Sequence, residues 1–106
     1  MLINSIIIDI IRQNIMRRIL KYELKVHCDQ IIEFGGLARI LCVGVQHNKA
    51  YIWADVHEDY PNEKKRFVMF NTGEEIPKEL LHRTKYIGTV MLDDGCYVGH
   101  VHQIIE

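Results

Sequence analysis

Histidine is the residue type most able to do chemistry in this chain, which carries His27, His47, His57, His82, His100 and His102. His100 and His102 stand two apart, and residues two apart on a strand share a face. Asp55 and His57 have the same spacing. If their two strands lie side by side, the four side chains offer imidazole and carboxylate ligands to a divalent metal. The plainer account is that all four are polar residues turned to water from half-buried strands. His27 and Cys28 are adjacent, which suggests a base beside a nucleophile. Neighbours on a strand point to opposite faces, however, so an exposed loop thiol is the simpler reading.

Trp53 is the single tryptophan, with Tyr51 on the same face of its strand. Such a pair packs a hairpin. It also offers a face on which a base stacks, while Arg66 and the backbone N–H groups of Thr72-Gly73 hold a phosphate. The basic stretches at 62–66 and 78–85 are diluted by Glu63 and Glu79. A formal net charge of -1 gives no long-range field to draw in nucleic acid. The chain has no phosphate-binding glycine loop, nucleophile elbow, paired-carboxylate motif or HExxH. The expectation is a binding protein, not an enzyme, with no cofactor.

These residues must be positioned by strands. With 106 residues, 48% hydrophobic and 25% charged, the chain suits one folded domain. Apolar and polar residues alternate from Leu20 to His27. Strands are expected near 19–27, 31–34, 38–46, 51–58, 65–71, 84–92 and 96–104. His47-Asn48-Lys49 offers a hairpin turn, and Asp93-Asp94-Gly95 another. Gly35-Gly36 is the most permissive point and lets the chain reverse. Pro77 suits the first turn of a short helix over 77–82. The fold class is therefore mainly β: a small antiparallel sandwich or open barrel of about seven strands, with one short helix.

Cys28, Cys42 and Cys96 are odd in number and widely spaced, so they form neither a disulfide framework nor a zinc knuckle. Cys42 and Cys96 lie in apolar runs where a free thiol packs as a small hydrophobe. A reducing compartment, the cytoplasm, is the expectation. Residues 1–15 are rich in isoleucine but interrupted by Asp9, Arg12, Gln13 and Asn14, too short and too polar for a membrane span. They read as a short helix or loose arm, an extension ahead of a single β domain at 16–106.

Between Ile19 and Val101 the chain resembles a family of short, uncharacterised proteins of bacteriophages and prophages. The matching residues are Lys21-Tyr22-Glu23-Leu24, Ile40-Leu41-Cys42-Val43 with Gln46, Trp53-Ala54-Asp55-Val56, Thr72-Gly73, Tyr86-Ile87-Gly88-Thr89 and His100. In that family a histidine often follows the Thr-Gly pair, where this chain has Glu74. Members typically begin just ahead of the first motif, here at Met16. The resemblance implies a phage origin, a small β domain and no assigned catalytic residues. Together these readings favour a phage accessory protein that counters host defence by sequestering a nucleotide-type signal. Trp53, Arg66, Thr72, Gly73 and His100 are its candidate ligand-binding residues. The alternatives are a protein–protein inhibitor of a host defence enzyme such as a CRISPR effector, and a metal-dependent enzyme using Asp55, His57, His100 and His102. A homodimer is expected, since edge strands of small sheets pair.

Overall fold

Alternation of apolar and polar residues recurs along the chain and yields seven strands. A computed structural model describes residues 17–26 and 29–105. The strands are β1 (Arg17–Leu24), β2 (Asp29–Phe34), β3 (Gly36–Gln46), β4 (Lys49–His57), β5 (Glu63–Asn71), β6 (Thr84–Leu92) and β7 (Tyr97–Ile104). They form two antiparallel sheets, one ordered β1-β4-β3 and the other β2-β5-β7-β6. The fold is an open sandwich, not a closed barrel.

Facing apolar rows hold the sheets together. Leu24, Ala50, Ile52, Ala54 and Val56 come from the three-stranded sheet; Phe34, Phe67, Met69, Val90 and Val101 come from the four-stranded one. Each large side chain buried this way stabilises the fold by about 1.5–3 kcal/mol. Tyr22 packs on Phe34 with ring centroids 4.5 Å apart, and its hydroxyl accepts the Gly35 N–H. On the outer face of the three-stranded sheet, Asp55 accepts bonds from Arg17 of β1 at 2.6 Å and from Arg39 of β3. The hydrogen bond from Arg39, reinforced by that from Arg17 and by both positive charges, holds the Asp55 carboxyl below the usual carboxylate range despite its partial burial.

Gln46 pairs with Lys49 across a two-residue turn, with His47 and Asn48 at φ 53° and 59°. Both central residues of a type I′ turn need that left-handed region, and it matches the twist of the strands. The second hairpin departs from expectation. Leu92 pairs with Tyr97, so the loop holds four residues, not three, and Asp93 and Asp94 adopt positive φ along with Gly95.

Three other expectations are corrected. The helix at 77–82 is a single 3-10 turn, Lys78–Leu80, with no buried residue. A segment that short cannot offset the cost of nucleation without an apolar face to bury. Gly35 and Gly36 act through their size, not their freedom: a Cβ on Gly35 would lie 2.9 Å from Val56, and one on Gly36 would lie 2.5 Å from the Tyr60 backbone. Small residues let the chain cross closely from one sheet to the other there. Cys42 and Cys96 are exposed, Cys42 on an outer sheet face and Cys96 in the hairpin loop, and neither packs as a core hydrophobe. The extension at 1–15, and His27 with Cys28, lie outside the described residues. No helix among the described residues is long and apolar enough to cross a membrane.

Candidate functional site

On the four-stranded sheet Phe67, Met69 and Val101 face the core, so Phe70, His100 and His102 face outward. Phe70 is nevertheless only 5% exposed. It is covered because the loop 72–77 leaves β5 and folds back over the outer face. The turn that redirects it is built locally. Glu74 N–H donates to the Asn71 carbonyl at 3.1 Å, and the Glu74 carboxylate accepts the Asn71 N–H at 2.9 Å. Gly73 takes φ 86°, which a side chain would resist. Glu74, standing where the resemblance leads one to expect histidine, thus braces the turn.

Between this loop and the sheet lies a notch of about 340 Å³ lined by Phe70, Thr72, Gly73, Ile76, Tyr86, His100 and His102, with Asn71 and Glu74 at its rim. Cross-strand pairing assembles it: Phe70 opposes His100, Thr89 opposes His100, and Tyr86 opposes His102. His100 is fixed at both ring nitrogens, Nε2 to Thr72 Oγ1 at 2.8 Å and Nδ1 to Thr89 Oγ1 at 3.0 Å. Thr89 Oγ1 in turn meets the Tyr86 hydroxyl at 2.6 Å. Among the described residues no carboxylate joins this chain of hydroxyls and imidazole. Its evident effect is to hold the loop against β7 and β6.

His102 is held differently. Phe70 and Tyr86 meet its ring edge to face, at centroid distances of 5.3 and 5.4 Å. Its Nδ1 lies 3.2 Å from Thr84 Oγ1, and among the described residues Nε2 has no hydrogen-bond partner. Burial, and secondarily the neighbouring His100, lower its pKa below the usual histidine value. The imidazole is therefore neutral near pH 7, with one nitrogen to offer a ligand. The Asn71 side-chain oxygen is buried without a partner among the described residues. Such a group costs roughly 1–3 kcal/mol until something donates to it.

Thr72, Gly73 and His100 come together in this notch, as the ligand-binding reading requires. Arg66 does not join them. It lies on the same outer face but four residues from Phe70, roughly 13 Å along the strand. Its guanidinium is bound to the Asp29 carboxylate through two hydrogen bonds. Those bonds, chiefly, hold the Asp29 carboxyl below its ordinary range. Arg66 lines a separate groove with Ile31, Lys64 and Ile104. Trp53 is on the outer face of the other sheet, packed over Gly44 and beside Tyr51. The metal cage also fails geometrically. Asp55 and His57 are on β4, whereas His100 and His102 are on β7, in the opposite sheet. Asp55 is taken by two arginines, and His57, 1% exposed, packs against Tyr60 and accepts the Asp59 N–H. Among the described residues no three potential ligands gather.

A family model described as a domain of unknown function, DUF7352, matches residues 16–106. The chain belongs to the DUF7352 family. No curated protein and no solved structure matches it. The matched span takes in every described strand of this DUF7352 protein and the described residues of the notch. Sequence reasoning missed Phe70, Ile76 and Tyr86, and took His102 only as a metal ligand. An outward Phe beside a Thr-Gly turn is a usable signal only once the strand's core face is known.

Proposed function

We propose that the protein is a binding protein that takes a small, neutral, planar group of the nucleobase type in the notch beneath loop 72–77. The observation that supports it is the meeting of Phe70, Tyr86 and Ile76 with a neutral His102 whose Nε2 has no partner among the described residues. Apolar walls with a few convergent polar groups are the usual makeup of a small-molecule site. Among the described residues no lysine or arginine lines the notch. The reading therefore assigns it the base of a nucleotide and leaves the phosphates outside. A volume of about 340 Å³ is near the lower end of the roughly 300–1,000 Å³ of such sites, suiting one nucleoside-sized group. Together with the resemblance to short bacteriophage proteins, this favours sequestration of a nucleotide-type host signal over catalysis.

The test is thermal unfolding with nucleosides, mononucleotides, cyclic dinucleotides and ADP-ribose derivatives, each added separately. At a concentration 100 times Kd a true ligand adds about 2.7 kcal/mol and raises Tm measurably. The rise should vanish in Tyr86→Ala and His102→Ala and survive in Trp53→Ala. No shift across the panel, or a shift that persists in Tyr86→Ala, overturns the reading.

A further inference from the structure

Among the described residues the two sheets have four edge strands: β1, β3, β2 and β6. An edge presents unpaired backbone groups and invites another strand. β3 and β6 are poor templates. They pack against each other across the sandwich, and both ladders are broken by register shifts, two in β3 and one in β6. β1 is different. It pairs with β4 without interruption over all eight residues, and among the described residues only β4 pairs with it.

Charged residues commonly guard such an edge, and β1 carries Arg17, Arg18, Lys21 and Glu23. Each is turned back into its own sheet. Arg17 reaches Asp55, and Arg18 reaches Glu58 at 3.0 Å. Lys21 donates to Gln46 Oε1 at 2.6 Å and lies over the Tyr51 ring. Glu23 faces Lys49 at 3.8 Å. What remains at the edge is apolar: Ile19, 64% exposed, on the outer face and Leu20, 40% exposed, on the inner. β2 is shorter, and among the described residues its Glu33 has no ion-pair partner.

We infer that β1 is a self-association strand, pairing antiparallel with β1 of a second copy about a twofold axis at Leu20. A twofold perpendicular to the sheet sets each residue opposite one of the same face. With Leu20 at the centre, Leu20 meets Leu20, Ile19 meets the Lys21 stem, Arg18 meets Tyr22 and Arg17 meets Glu23. No like charges oppose one another. Shifting the centre to Lys21 would stack two ammonium groups, and shifting it to Ile19 would set Arg17 against Lys21. A centre at Tyr22 avoids like charges but puts the half-buried Tyr22, already bonded to Gly35, on the axis in place of the exposed Leu20. The product is a six-stranded sheet running through both subunits, with the notches on the opposite sheets left open.

Sedimentation equilibrium of the full chain should give twice the 12.5 kDa chain mass. Leu20→Lys sets two cations face to face and should return the protein to monomer. Ile19→Lys is on the exposed outer face, so it spares the core; it sets the new ammonium against Lys21 of the partner subunit and should raise the dimer Kd at least tenfold. In a background with Cys28, Cys42 and Cys96 changed to serine, Leu20→Cys should oxidise to a disulfide-linked dimer. Paired residues there have Cα atoms about 4.5–5.5 Å apart, within disulfide reach. Ile31→Cys on β2 should not cross-link. A monomeric wild type, a dimer indifferent to Ile19→Lys, or cross-linking through Ile31→Cys in place of Leu20→Cys would each overturn the assignment.

Discussion

His102 is a weak base by placement. Partial burial between Phe70 and Tyr86 disfavours its charged form, and His100 on the same strand face adds to the effect. Its folded pKa is thus below its unfolded value of about 6.5. The stability this contributes is fully present above that unfolded value and is lost as pH falls through the folded one, because the unfolded chain binds the proton more readily. Tm should therefore fall as pH drops below about 6.5, and His102→Gln should show a shallower fall. Parallel melting curves for the two proteins between neutral and mildly acidic pH check this. A difference that does not change with pH would show that His102 stays solvated. The proposed binding of a neutral base in the notch should weaken over the same range, since protonation sets a charge between Phe70 and Tyr86 where the ligand would pack.

At the scale of elements, turns do more than reverse the chain. The β3–β4 turn and the β6–β7 turn belong to different sheets, yet they are bolted together. Asn48 Nδ2 donates to Asp93 Oδ1 at 2.7 Å, and Asn48 Oδ1 accepts the Asp93 N–H at 2.8 Å. Asn48 also holds φ 59°, which a β-branched residue resists by about 1–2 kcal/mol. Two substitutions separate these roles. Asn48→Gly keeps the backbone easy and loses only the two bonds, about 1 kcal/mol each. Asn48→Val loses the bonds and adds strain, so its urea midpoint should fall further than that of Asn48→Gly. Equal midpoints would mean that the turn conformation carries no penalty.

Across the whole molecule, the sandwich closes along one side where β3 meets β6. A Cβ on Gly88 would lie 2.6 Å from Val43 Cγ2, so the absence of a side chain there sets how closely the sheets approach. This gives a physical reason for a glycine within Tyr86-Ile87-Gly88-Thr89. Gly88→Ala should destabilise the fold by about 1–3 kcal/mol through overpacking. Val43→Ala, which removes the offending methyl, should recover part of that loss in the double variant. Denaturant unfolding of the four proteins measures the coupling, and strict additivity would place the strain elsewhere. On the opposite side, Tyr22 of β1 closes over Phe34 of β2 near one end of the strand, and Leu20, two residues earlier, is 40% exposed. The exposed Ile19 and Leu20 are what a partner strand at β1 would cover.

Local alternation was enough to determine the strands. The spans from 84–92 and around 51–58 are legible because strand periodicity needs only neighbours in sequence. The Asn48 turn is legible because few residues accept a left-handed backbone. The helix at 77–82 was not, since proline marks where a helix can start but not whether it has an apolar face to bury. The site was half legible. Thr72-Gly73 and His100 could be singled out by type, but which side chains they meet depends on the register between β5 and β7, some thirty residues apart, and on a bulge at Tyr86/Gly88 that shifts the β6 pairing. Nothing local encodes those offsets. They are decided when both sheets bury their apolar rows together, and that collective fit sends Trp53 and Asp55 to one outer face and the histidines of β7 to the other.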